Sequence, residues 1–184
     1  MERALVLIDI QNDYFPGGRN ELNKAEQAAQ NAARMLAHFR QIGWPVCHIQ
    51  HVSTGSAAKF FLPNTAGVEI YKDVLPLGSE PVFVKHAPNS FFETGLLQAL
   101  QENGIRDIVV CGMMSHMCVD TSVRAARDHG LRVTLLHDAC ATKALTWQGE
   151  IIPAQAVHAA YMAALDGSFA RVVSTEECLQ ELVR

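Results

Sequence analysis

The 184-residue chain lacks most of the features that commit a sequence to a membrane, a nucleic acid or a disulfide scaffold. No apolar run approaches the roughly 18–20 residues a membrane-spanning helix needs. Lys and Arg number 15 against 19 Asp and Glu, a net charge of -4, so there is no basic excess to hold a phosphate backbone. The five cysteines, at 47, 111, 118, 140 and 178, are odd in number and irregularly spaced. That excludes a small disulfide framework, and no second cysteine completes a Cys-x-x-Cys redox pair. No secretory leader is visible, because only the run Ala4 to Ile10 precedes the polar Gln11. Reduced thiols in the cytoplasm are the expectation. No G-x-G-x-x-G or P-loop follows any strand, which argues against nucleotide binding. Repeats, low-complexity tracts and linkers are also missing. The 49% hydrophobic content suffices for one core, and a single domain over 1–184 is expected.

What is present is a rhythm of short buried strands and amphipathic helices. Strands are predicted at Ala4 to Ile10, Pro45 to Val52, Pro81 to His86, Ile108 to Cys111, Leu131 to Leu136 and Arg171 to Ser174. Between them lie helical patterns from Asn23 to Ile42, closed by Gly43, and from Ser90 to about Asn103. Further helices are read from Cys118 to near Gly130, from Ile151 to Leu165, and after Ser174. Asn23 with Glu26, Ser90 with Glu93 and Ser174 with Glu177 have capping-box spacing. This alternation predicts an α/β fold, a six-stranded parallel sheet with helices on both faces. Residues 53–79 show no firm periodicity, and such a segment is usually a lid or an interface arm. Its consecutive Phe60, Phe61 and Leu62 are too apolar for a free loop. They could reach a second copy or fold over their own core.

In open parallel sheets the ligand site lies beyond the carboxyl ends of the strands. Asp9, Lys85 and Cys118 fall at the ends of the first, third and fourth strands. A cysteine at a helix start favours the thiolate, although a free cysteine also packs as an ordinary core residue. With Asp9 to move the proton and Lys85 to hold negative charge, Cys118 has the surroundings of a nucleophile.

The run Leu7-Ile-Asp-Ile-Gln-Asn-Asp13, then Lys85, Asn89-Ser-Phe-Phe, Gly112-Met-Met-Ser-His-Met-Cys-Val119, Asp138-Ala-Cys-Ala and His158 resembles the isochorismatase-like cysteine hydrolases. That family includes nicotinamidases and N-carbamoyl amidohydrolases. The resemblance implies a Rossmann-like six-stranded sheet and an Asp–Lys–Cys triad on Asp9, Lys85 and Cys118. It implies an oxyanion hole from the N–H groups of Met114 and Cys118, and a cis peptide at Met113–Met114. Homodimers or larger homo-oligomers are implied too. Isochorismate-cleaving members lack the cysteine, so Cys118 points to C–N cleavage of a small amide or carbamoyl compound. Nicotinamidases hold a metal through an Asp-x-His pair, whereas this chain offers His48 and His51. Three residues apart on a strand, these face opposite sides of the sheet, and no metal or other cofactor is expected.

Tyr14, Phe92 and Trp147 are the candidate walls of the substrate pocket. His116 reads as a turn histidine and His158 as a packing histidine, and the other four cysteines as structural. A redox thiol protein and a catalytically idle scaffold of the same fold remain the alternatives.

Overall fold

Every residue of Ala4–Ile8 (β1) is buried, as a strand covered on both faces must be. Its alternation sends Leu5 and Leu7 into one apolar cluster and Ala4, Val6 and Ile8 into another. The computed structural model describes residues 2–182, so Met1, Val183 and Arg184 of the expected domain lie outside the described residues. The remaining strands of the sheet are Val46–His51 (β2), Val82–Lys85 (β3), Asp107–Met113 (β4) and Arg132–Ala141 (β5). After the antiparallel hairpin Leu145–Trp147 (β6) and Glu150–Ile152 (β7), Arg171–Val173 (β8) completes it. The order is β3-β2-β1-β4-β5-β8 with every pairing parallel. The chain winds outward from β1 in one direction and from β4 in the other. The crevice between them is therefore the switch point where ligand sites form.

Ala25–Ile42 (α1) and Thr175–Leu182 (α5) cover the Leu5 and Leu7 face. Leu96–Glu102 (α2), Asp120–Asp128 (α3) and Ala154–Leu165 (α4) cover the other. α1 buries Ala28, Ala32, Met35, Leu36 and Phe39, a helical stripe, and stops where Gly43 takes φ 71°. The expected capping box after β8 is formed. The Ser174 N–H donates to Glu177 Oε2 at 2.8 Å, and the Glu177 N–H to Ser174 Oγ at 3.2 Å.

The other two capping boxes are corrected. α1 begins after Lys24, and Asn23 instead bridges Thr142 beyond β5. α2 begins at Leu96, because the Ser90 N–H is taken by Ser122 Oγ at 2.9 Å and residues before Gly95 form a turn. β5 runs to Ala141 rather than Leu136. After a register shift it continues to pair with β4, Gly112 opposite Cys140 and Met113 opposite Ala141. The hairpin occupies the start of the segment expected to be helical from Ile151, and Pro153 then opens α4.

Residues 53–79 fold over the chain's own core. Phe61 is buried, and its ring meets Tyr14 edge-on with centroids 4.7 Å apart. Several hydrogen bonds hold the segment, two of them to buried side chains of the loop after β1. Asp13 Oδ2 accepts the Phe61 N–H at 2.6 Å, and Gln11 Nε2 donates to Val68 O at 2.7 Å.

Candidate active site

Three segments meet above the switch point. Asp9 follows β1, in the left-handed region at φ 51°, with its N–H on Ile49 O at 3.1 Å. Lys85 is the last residue of β3. Cys118 lies in a π-helical turn, Ser115–Val119, between β4 and α3. The Met113–Met114 peptide at the entry to that turn is cis. β1 and β4 approach so closely beneath the cluster that only glycine fits at position 112. A Cβ there would lie 2.0 Å from the Ile8 carbonyl oxygen, at a φ of +137°.

The Lys85 ammonium is the hub. Its Nζ stands 2.8 Å from Asp9 Oδ2, 3.0 Å from His51 Nδ1, 3.0 Å from Ala87 O and 3.2 Å from Cys118 Sγ. Asp9 and Lys85 are fully buried, and Cys118 is 5% exposed. Apart from the ion pair, neither Asp9 oxygen has a hydrogen-bond partner, so the carboxylate is left with unused acceptor capacity.

Burial raises the Asp9 carboxyl above its ordinary range, and Lys85 pulls against that rise. Burial also works against the Lys85 charge, but Asp9 and Cys118 outweigh it and the ammonium is held more firmly than usual. Cys118 is pushed up by burial and then by Asp9, with Lys85 opposing. These shifts favour the protonated thiol at Cys118, beside the Asp9–Lys85 pair at 2.8 Å. This corrects the expectation of a thiolate favoured by a helix start. Cys118 sits in the π turn ahead of α3, deep enough for desolvation to outweigh any helix field.

Residues around the cluster fix it in place. Gln11 is fully buried and clamps the end of β2. Its Oε1 accepts the His51 N–H at 2.8 Å, and its Nε2 donates to His51 O at 2.9 Å. Burial, followed by the charges of Lys85 and His86, pushes His51 down to about 4, so its imidazole is neutral near pH 7. Tyr14 is buried against Phe60 and Phe61. Burial pushes its phenol well up, and Cys118 and Asp9 push it further in the same direction. Phe92 and Trp147, the other two candidate walls, are 55% and 68% exposed. The turn before α2 and the β6–β7 hairpin carry these two rings into solvent.

Asp9, His51 and Cys118 each offer a donor atom, all within 4.8 Å of one another, which is the spacing of a metal site. Lys85 Nζ already lies within 3.2 Å of an atom of each, as a tethered cation. His48 turns the other way, as expected, with Nε2 2.9 Å from Glu80 Oε2. Arg40 grips both oxygens of the same carboxylate at 2.8 Å.

The nucleophile's turn is braced from β5 and α4. Ser115 Oγ lies 2.8 Å from His158 Nδ1, and the His116 ring bonds Thr142 Oγ1 and meets Tyr161 edge-on. His116 is thus tied down, rather than free on a surface turn. Gln11, Asp13 and Ser115 were not singled out in the sequence as parts of the site, and His51 was weighed there only as a metal ligand or a residue near the pocket rim. Gln11 and Asp13 did fall in the quoted Asp9-Ile-Gln-Asn-Asp13 run, and that run was the available signal.

A doubly wound parallel sheet with a buried carboxylate, ammonium and thiol at its switch point is the framework of an enzyme. An isochorismatase domain profile matches residues 3–177, and the chain belongs to the isochorismatase family of hydrolases. It is 55% identical over 180 residues to the uncharacterized isochorismatase family protein YddQ of Bacillus subtilis (strain 168), covering 98% of this chain and 100% of that one. It is 34% identical over 140 residues to a streptothricin hydrolase of Streptomyces noursei, covering 76% of this chain and 50% of that protein. The crystal structure of a putative isochorismatase hydrolase from Oleispira antarctica superposes with a TM-score of 0.93. The identity there is 44%, over 97% of this chain and 96% of that one.

Proposed function

We propose that the chain is a cysteine hydrolase that cleaves the C–N bond of a small amide or carbamoyl compound through a thioester. The observation that carries this is the Lys85 ammonium, within 3.2 Å of both the Asp9 carboxylate and the Cys118 sulfur in a site closed to bulk water. Family members hydrolyse amide C–N bonds, and the likeness to a streptothricin hydrolase supports the same class here.

Asp9, with free acceptor capacity and a raised affinity for protons, takes the Sγ–H proton as sulfur attacks the carbonyl carbon. Lys85 faces the sulfur as charge develops on it. The oxyanion is received by the N–H groups of Met114 and Cys118. Collapse breaks the C–N bond, and Asp9 returns its proton to the departing amine. Water then attacks the thioester with Asp9 again as base, releasing the acid and restoring the thiol. The balance is amide plus water giving acid plus amine or ammonia.

We read Tyr14, packed against Phe60 and Phe61, as one wall of the substrate pocket. A resting thiolate is what a redox role would require, and the raised Cys118 thiol argues against it. We place the protein in a reducing compartment such as the cytoplasm, because all five cysteines are free and buried. Among the described residues no helix is long and apolar enough to cross a membrane. We read 1–184 as one domain that self-associates, with the exposed Trp147 and Ile151 of the β6–β7 hairpin as the apolar feature that supports association.

The test is ammonia or amine release across a panel of amides and carbamoyl compounds. Cys118→Ala should abolish turnover, and mass spectrometry of quenched wild-type enzyme should find the acyl group on Cys118. Undiminished turnover by Cys118→Ala would end this reading.

A further inference from the structure

Lys85 ends the edge strand of the sheet, and Cys118 stands beyond β4, with β2 and β1 between them. Three strand spacings amount to roughly 14 Å. Backbone pairing alone therefore leaves the gap between ammonium and sulfur loosely defined, yet the two meet at 3.2 Å. A second connection closes the gap directly. The turn after β3 carries Ala87, whose carbonyl accepts a Lys85 N–H at 3.0 Å, and Pro88 and Ser90 of the same turn meet Ser122 of α3. Ser122 Oγ accepts the Ser90 N–H at 2.9 Å, and it lies 2.8 Å from Ser90 Oγ and 3.4 Å from Pro88 O.

We propose that Ser122 is a positioning residue for the Lys85–Cys118 contact, tying the turn that follows Lys85 to the helix that follows Cys118. The inference rests on the hydrolase reading of Asp9, Lys85 and Cys118.

Position and burial both support it. Ser122 lies four residues past Cys118, just over one helical turn, so the two side chains leave the same side of their helix. Ser90 and Ser122 are both buried. A hydroxyl pair in such a place costs desolvation that alanine would avoid, and only directed hydrogen bonds offset it. The turn is also held within itself, with the Phe91 N–H on Asn89 Oδ1 at 2.9 Å and the Thr94 hydroxyl on Ser90 O at 2.6 Å. Holding it at Pro88 and Ser90 therefore holds Ala87 as well, and with it one of the ammonium's acceptors. From the other side the Val52 N–H donates to Lys85 O at 2.9 Å. Lys85 is thus gripped between β2 and α3, and the α3 tie is the one that sets its distance from the sulfur.

Ser122→Ala removes the acceptor of the Ser90 N–H, and Ser122→Thr keeps it. The probe is iodoacetamide, itself a small amide, at one alkaline pH, with alkylation located at Cys118 by mass spectrometry. The thiolate attacks the iodomethyl carbon, an S–C bond forms and iodide leaves, so the rate follows the ionised fraction of Cys118. Lys85 opposes the rise that burial and Asp9 impose on that thiol, and a displaced ammonium leaves less thiolate. Ser122→Ala should slow alkylation about tenfold, the loss of one hydrogen bond to an ionised group. Ser122→Thr should react at close to the wild-type rate. In a Lys85→Met background no ammonium remains to be placed, and there Ser122→Ala should change the rate by less than about twofold.

A merely structural serine would lower thermal stability without moving the rate, or would move it equally in both backgrounds. Unchanged or faster alkylation in Ser122→Ala would overturn the proposal, and so would an equal fall in the Lys85→Met background or in Ser122→Thr. Should Ser122→Ala fail to fold, Ser122→Val set against Ser122→Thr asks the same question at nearly constant shape, with the same gap expected. No substrate is needed, so a failure here is distinct from failure of the hydrolase reading, which turns on turnover by Cys118→Ala.

Discussion

Replacing Lys85 with Met removes the cation that, among the described residues, is paired with the fully buried Asp9 carboxylate. Asp9 would then be a buried anion whose nearest compensation is gone, and breaking a buried pair this way costs about 3–5 kcal/mol. That cost falls on the ionised form alone, so it raises the folded-state Asp9 pKa further above the unfolded one. The sign follows from proton counts. Between those two values the folded variant binds a proton that the unfolded chain does not, so its stability falls as pH rises through that window. The deficit relative to wild type should thus be smallest in acid and grow toward its full value of about 3–5 kcal/mol as pH rises past the raised Asp9 pKa. Urea unfolding followed by circular dichroism across that range measures it. The double variant Asp9→Asn/Lys85→Met, which buries no charge, should recover most of the loss at pH 8 and show no such slope. A deficit under about 1 kcal/mol at pH 8, or a double variant whose cost equals the sum of the singles, would refute the picture of a dry and mutually dependent pair.

Three further outcomes follow from other contacts. Glu80 is held by Arg40, His48 and the Leu77 N–H, and against burial these partners draw its carboxyl down to about 2. The stability it confers is present above its ordinary unfolded value of roughly 4.3 and is lost as pH falls toward 2, so Glu80→Gln should cost about 1–2 kcal/mol at neutral pH and flatten the acid limb of denaturation. In Gly112→Ala the added methyl would meet the Ile8 carbonyl at 2.0 Å with φ at +137°, and a loss of about 2–4 kcal/mol is expected by calorimetry. Asp13→Ala removes the acceptor of the Phe61 and Arg19 N–H groups, and limited proteolysis within 53–79 should accelerate.

The sheet was legible because its strands announce themselves locally. β1 and β4 are apolar runs ended by Asp9 and Gly112, and parallel pairing with α/β alternation leaves few arrangements for them. The meeting of Asp9, Lys85 and Cys118 was legible for the same reason, since all three stand at or just beyond the carboxyl ends of β1, β3 and β4 in one parallel sheet. The capping boxes at Asn23 and Ser90 misled because spacing cannot show a long-range competitor. Thr142 and Ser122, far away in sequence, claim those backbones instead. Likewise the extension of β5 depends on a bulge opposite Gly112, and periodicity over Leu131 to Leu136 carries no trace of it. Gln11 and His51 look like loop-edge polar residues until the fold brings β2 beside β1.

Why the cluster survives burial is a matter of net charge. Asp9 and Lys85 cancel, and a thiol adds nothing, so the site at rest contains a neutral set inside an apolar shell. A resting thiolate would place a second anion beside Asp9 with one ammonium between them, and desolvation penalises that state. Moving the Sγ proton to Asp9 transfers the negative charge without increasing it, and Lys85 faces either location within 3.2 Å. The site can therefore make its nucleophile without ever burying an uncompensated charge. A carboxylate with unused acceptors, a lysine between two positions of one charge and a histidine that stays neutral serve that same end.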